Sequence, residues 1–285
     1  MPCDKLVLLS RRIRSRFLKL AEQHGRETGG YSSFTDLRET EVGLPVRLYC
    51  GGFYNGVNKI QLDREVAHLG LKRTQEIVQA ICGDDPFIRI SRIDWCLDLA
   101  GLSVTDFALY TRLERAQNFS LHKSREGATF YLRFSKHHKV LVYDRLARLR
   151  MTRSPLVQFY KPSDRLTRLE IQLQGRGVPI RNFREIDRFG KDSLLRGLSF
   201  WKLASKRKGL TNVESLAAEG LLHKIEAYGL QGAAKMYTSQ AWAYLSKKLL
   251  MPMPETSFPN LDRLMRKSIR DWLDNRVRFP RLEKG

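Results

Sequence analysis

Charged residues stand at the centre of two otherwise apolar runs, where a sequence rarely places them. In RIDWCLDLA, side chains of an extended strand alternate between faces, so Arg92, Asp94, Cys96 and Asp98 share one side and Ile93, Trp95, Leu97 and Leu99 the other. In RLTRLEIQL the same alternation groups Arg168, Glu170 and Gln172 opposite Leu169, Ile171 and Leu173. A charge on such a strand is costly to desolvate unless it is paired or bound to a cation. Two strands of this kind suggest a carboxylate site for a divalent metal, Mg²⁺ or Mn²⁺. The alternative is that Asp94, Asp98 and Glu170 pair with Arg92 and Arg168 on a solvated sheet face.

The rest of the composition bears on the partner. Of 285 residues, 51 are Lys or Arg and 30 are Asp or Glu, a net charge of +21 spread along the whole chain. Cations on a folded surface gain affinity for a phosphate backbone by releasing its counterions, so the charge points to DNA or another polyanion; a merely soluble basic protein is the plainer reading. Hydrophobic residues make up 42%, enough for a real core. Cys3, Cys50, Cys82 and Cys96 lie far apart without zinc-ligand spacing, which argues against disulfides and structural zinc. No stretch approaches the roughly 18 apolar residues of a membrane span, and the sequence reads as cytoplasmic.

These strands need a scaffold, and the pattern predicts an α+β protein: an antiparallel or mixed sheet with flanking helices over residues 1–180, then a helical region over 181–285. Leu6, Leu9, Ile13, Phe17 and Leu20 fall at helical spacing, predicting a basic amphipathic helix over 5–21. VRLYC at 46–50 and VNKIQLD at 57–63 predict a hairpin, with Asn55-Gly56 near its turn. Residues 64–81 read as a helix and FIRISRIDWCLDLAG, 87–101, as a central strand. Ser103 with Asp106 three residues on opens a further helix. ATFYLRF, KVLVYDR and RLTRLEIQLQG follow as strands. Beyond 180 all long patterns read as helical, including SLLRGLSFWKLASKRK. The sequence shows no internal repeat.

The order of these segments resembles the replication initiation factor family, the Rep_trans initiators of rolling-circle plasmids and phages, and more distantly the replication nickases of filamentous phages. The matching residues are Arg92, Asp94 and Asp98; Thr129 and Tyr131; Tyr143 and Asp144; and Arg168, Glu170 and Leu173, all within 89–175. Two positions depart from that pattern: Arg145 replaces the usual lysine after Tyr-Asp, and Leu132-Arg133-Phe134 replaces small residues after the T-x-Y strand. The resemblance implies metal ligation by Asp94, Glu170 and Asp98, with Tyr143 attacking a DNA phosphodiester beside Arg92 and Arg168. It further implies origin DNA as substrate, single-stranded or supercoiled, with a host helicase and polymerase as partners; monomer and homodimer are both open.

A phenol with a pKa of about 10 is protonated at neutral pH, so attack on phosphorus needs a nearby base or cation. Tyr131, on a neighbouring strand, is the second candidate nucleophile. Adjacent His137 and His138 face opposite ways on a strand, so a surface turn is the expectation for them. Arg145, Arg148, Lys139 and the run Lys206-Arg207-Lys208 are expected to contact phosphates, and a C-terminal helix to read the origin. Two rival functions remain: a DNA-binding protein that does not cut, such as a repressor or degenerate initiator, and a relaxase-like nickase of a conjugative element.

Overall fold

The computed structural model describes the whole chain except residues 1–2, 53–55, 64–68, 114–117, 125–126, 162, 190–193, 196–197, 205–209, 255–257 and 277–285. An α+β architecture is built around one antiparallel sheet. Its first strands are β1 (Cys3–Ser10), β2 (Arg26–Thr28), β3 (Tyr31–Asp36), β4 (Val46–Gly52), β5 (Asn58–Leu62) and β6 (Arg89–Ala100). A three-residue strand, β7 (Thr111–Leu113), belongs to a separate small sheet; β8 (Asn118–Ser124), β9 (Gly127–Ser135), β10 (His138–Asp144) and β11 (Leu166–Gln174) complete the large one. The helices of this part are α1 (Ser15–His24), α2 (Leu71–Cys82), α3 (Val104–Tyr110) and α4 (Arg145–Met151).

The strand order, β2-β3-β4-β5-β1-β6-β11-β10-β9-β8, is the same on both sides of the central pair. Each half starts with a central strand, β1 or β6, continues into a helix, α1 or α3, and returns through an outer strand. It then meanders inward to pair with the strand it began with. β1 and β6 run antiparallel, so the halves are related by a pseudo-two-fold axis between them. The sequence carries no visible repeat, because this symmetry needs only alternating apolar strands in the right order. The main departure from symmetry lies between β10 and β11, where α4 and a 3₁₀ turn (Pro155–Phe159) are inserted; the matching strands β4 and β5 pair as a hairpin, whose expected Asn55-Gly56 turn falls partly outside the described residues.

One face of the sheet is the core. Leu6, Leu8, Ile60, Leu62, Ile93, Trp95, Leu132, Val140, Val142, Leu169 and Ile171 are all buried there. Phe17, Leu20 and Ala21 of α1 pack on it, as do Phe107 of α3 and the last helix, α7 (Leu261–Leu273). The Trp95 ring meets Phe189 at 5.3 Å and Trp272 at 5.4 Å. The boundary expected near 180 therefore does not divide the hydrophobic core. A second, smaller cluster joins α5 (Asn212–Ala234), which breaks at Gly229, to α6 (Ser239–Leu249). Gly229 has φ 74°, and a Cβ there would meet the Ala108 carbonyl oxygen at 2.5 Å, so both backbone conformation and close approach require glycine.

Two expectations are corrected. Residues 3–10 form a central strand, and the helix begins only at Ser15. The coincidence of Leu6, Leu9, Ile13, Phe17 and Leu20 at helical spacing spans a chain reversal, anchored where Ser10 donates its hydroxyl to Asp85 Oδ2 at 2.6 Å. Within SLLRGLSFWKLASKRK, residues Leu198–Leu203 form β12, which pairs with β7 and with β13 (Leu250–Pro252). The 46–63 hairpin, the β6 strand, the three strands over 127–174 and the Ser103 capping box are as expected. Part of the helix expected over 64–81, residues 64–68, lies outside the described residues.

Candidate active site

The other face of the large sheet is polar, and register places the sequence-predicted residues on it in rows. Asp98 lies opposite Arg168, which lies opposite Tyr143, which lies opposite Thr129. One row along, Cys96, Glu170, Leu141 and Tyr131 align; the next contains Lys5, Asp94, Gln172, Lys139 and Arg133. Antiparallel partners point to the same side, so Asp94, Glu170 and Tyr143 share one face of three neighbouring strands.

Glu170 is buried, and both of its oxygens accept hydrogen bonds: Oε1 from Gln172 Nε2 at 2.8 Å, Oε2 from the Tyr143 hydroxyl at 3.2 Å. Asp94 accepts from Arg92 Nε at 2.8 Å and from Nη2 at 2.6 Å. Burial pushes the Asp94 carboxyl up to about 6, with the Glu170 charge adding to that rise and Arg92 and Lys5 opposing it. Tyr143 is only 5% exposed, and burial together with the Glu170 charge holds its phenol well above the ordinary value. Opposing this are the charges of Arg168 and Arg145, while the Arg148 guanidinium stands 5.0 Å from the ring centre.

Arg168 is fully buried and clamps two carboxylates. It donates from Nε and Nη2 to the two Asp98 oxygens, each at 2.6 Å, and from Nη1 to Asp4 Oδ1 at 2.8 Å. Burial works against the Asp98 charge, but the Arg168 fork outweighs it and the carboxyl titrates below its ordinary value. Asp4 reaches this position through a register shift between Cys3 and Lys5, which turns an extra residue toward the polar face.

Asp94 and Glu170 are buried carboxylates on adjacent strands whose charges repel, a load that a cation relieves. Both Asp94 oxygens already accept from Arg92, so a cation would take that place only if the part-exposed Arg92 side chain swung away; both Asp98 oxygens are held by the fully buried Arg168, which has no such freedom. Among the described residues no three His, Cys, Asp or Glu side chains are grouped to hold a metal ion.

The basic residues separate into different roles. Arg145 is buried beside the site, with its charge acting on Tyr143 and Asp98, not out on a DNA-facing surface as expected. Arg148 is exposed, and Lys139 lies on the polar face next to exposed Arg133. Lys206, Arg207 and Lys208 lie outside the described residues. His137 occupies the β9–β10 turn, while His138 opens β10 and stacks on Phe134 at 4.9 Å. Tyr131 is 40% exposed on the same face as Tyr143.

Asp4, Lys5 and Gln172 are site residues that sequence reasoning missed. Gln172 was visible in the alternation of RLTRLEIQL, where it shares a face with Glu170. Asp4 and Lys5 could be found only by reading 3–10 as a strand. No protein-family model and no curated protein matches this chain, so the case for its function rests on the arrangement of these side chains.

Proposed function

We propose that the chain is a rolling-circle replication initiator, an endonuclease and strand transferase that nicks origin DNA through Tyr143 with the help of a divalent cation. The observation that carries this reading is the convergence of Asp94, Glu170 and Tyr143 on one face of three adjacent strands, with the Tyr143 hydroxyl on Glu170. In this reading the phenolic oxygen bonds to phosphorus, the bond from phosphorus to the 3′ oxygen breaks, and Glu170 Oε2 takes the phenolic proton. The products are a 5′-phosphotyrosine and, once its oxygen is protonated, a 3′-hydroxyl that can prime a polymerase. Reversal rejoins the strand without an external energy source. Mg²⁺ or Mn²⁺ held by Asp94 and Glu170 would supply polarisation of the phosphate and stabilise charge on the attacking and leaving oxygens. Arg168 is fixed by Asp98 and Asp4 so that its positive charge stands beside the Tyr143 oxygen.

Burial of Tyr143 requires that the α4 insert shift before a phosphate can reach it. The same burial favours the rival reading, a DNA-binding protein in which Tyr143 is structural. Supercoiled DNA carrying the replicon's own origin, incubated with Mg²⁺ or Mn²⁺ and run on a denaturing gel, separates the two. The initiator produces one nick at a fixed position, lost in Glu170→Gln while salt-sensitive DNA binding persists. Origin binding without a nick supports the rival.

A further inference from the structure

The seam between the two halves of the sheet carries a feature that the nicking chemistry does not use. Two adjoining depressions lie along β1 and β6 on the polar face. The first, about 450 Å³, is lined by Lys5, Val7, Lys59, Gln61, Arg92 and His137, among others. The second, about 410 Å³, is lined by Leu9, Ser10, Arg11, Val57, Phe87 and Arg89. Register joins them into one trough: Val7 pairs with Arg92 and Gln61, and Leu9 pairs with Arg89 and Lys59. From Lys5 to Ser10 the trough follows β1 over five residue steps, about 17 Å at strand rise.

Its chemistry has one sign. Lys5, Lys59, Arg92, Arg89 and Arg11 line it, and none of its described lining residues is a carboxylate. Among the described residues Lys5, Lys59, Arg11 and Arg89 make no ion pair, although the protein contains 30 acidic side chains. Burial and, after it, the neighbouring charge of Lys5 lower the Lys59 pKa, so two cations are held close together. At the far end Phe87 presents a ring that is 63% exposed. A row of cations, all but Arg92 without an ion pair, ending in an exposed aromatic suits a polyanion that also carries flat rings.

We infer that this trough is a track for single-stranded DNA, holding the strand on one side of the scissile phosphate with backbone phosphates on Lys5, Lys59, Arg92 and Arg89 and a base stacked on Phe87. The exposed Phe87 ring favours a single strand, because only an unpaired base offers a free face for stacking. The inference rests on the nicking reading for its role but not for its binding chemistry.

The test is binding of a fluorescein-labelled oligo(dT) by the full chain, followed by anisotropy over a range of salt concentrations. Lys59→Met combined with Arg89→Gln removes two phosphate contacts, so affinity falls at least 10-fold and the salt slope flattens by about 1.4. Phe87→Ala weakens binding about 5- to 100-fold with the slope unchanged, because stacking releases no counterions. Lys59→Met gives up the contact of the ammonium with the Tyr49 ring at 3.4 Å and should lower the melting temperature slightly, while Arg89→Gln and Phe87→Ala, at exposed positions, should leave it unchanged. Wild-type affinity and slope in both variants overturn the track, as does an equal loss of binding to a duplex of the same length. If the variants lose oligo(dT) but wild-type protein never nicks its origin, the track stands and the nicking reading fails.

Discussion

The Tyr143 hydroxyl donates to Glu170 Oε2 across the β10–β11 pair, in a layer that also holds the Arg168 clamp on Asp98 and Asp4. A phenol hydrogen-bonded to a buried carboxylate is a satisfied structural contact. It is also the starting geometry for a proton transfer. Beside this pair lies Asp94, a second buried carboxylate, whose charge repels that of Glu170 although Arg92 pairs with it.

Burial of Asp94 gives a pH dependence. Burial raises the folded Asp94 pKa to about 6 from an ordinary 3.8. A raised carboxyl stabilises the fold while protonated, so its contribution is fully present below about 4 and is lost as pH rises through about 6. Asp94→Asn cannot titrate, and its stability relative to wild type should increase between pH 4 and pH 7 by up to about 3 kcal/mol. Denaturant midpoints of both proteins across that range check this, and a constant difference contradicts it. Mn²⁺ should raise the wild-type melting temperature more at pH 7.5 than at pH 5, and should do so less in Glu170→Gln.

Arg168 is predicted to dominate the stability of the polar face. Replacing it by Met leaves Asp98 and Asp4 without their shared partner and should cost about 3–5 kcal/mol. Asp98→Asn keeps Arg168 paired with Asp4 and should cost less than half as much. Urea unfolding of the two variants orders them, and the reverse order would show that the clamp is not what holds this layer.

The C-terminal helix should be inseparable from the sheet. Met265, Ile269 and Trp272 are fully buried in the same core as Trp95, so a fragment ending at 180 exposes the apolar face that they cover. Such a fragment should lack a cooperative thermal transition, and Trp272→Ala in the full chain should cost about 3–5 kcal/mol. A fragment 1–180 that melts cooperatively near the temperature of the full chain would contradict this.

The site was legible wherever strand alternation carried it. Asp94 and Glu170 each stand between apolar neighbours, with Arg92 and Arg168 two positions before them on the same face, and pairing of β6 with β11 puts the four together as the pattern requires. Local pattern could not reveal what arrives from elsewhere in the chain. Asp4 joins Arg168 from 164 positions away, through a strand whose leucines mimic a helix, and the α7 contact with Trp95 crosses the expected boundary. The pseudo-two-fold was hidden because it lives in strand order, which leaves no residue-by-residue repeat. The commitment of Asp98 to Arg168 was one of two open readings, and spacing alone treats a ligand and an ion-pair partner alike.

The most direct measurement of the central claim is covalent capture. Tyr143→Phe removes one oxygen and a hydrogen bond to Glu170, costing about 1 kcal/mol while the ring, its packing and the Arg148 contact remain. Wild-type protein incubated with single-stranded origin DNA and Mn²⁺ should form an SDS-resistant adduct whose peptide map places the phosphate on Tyr143, and the Phe variant should form none. An adduct that persists in the Phe variant, on Tyr131 or any other residue, would contradict the assignment of Tyr143 as the nucleophile.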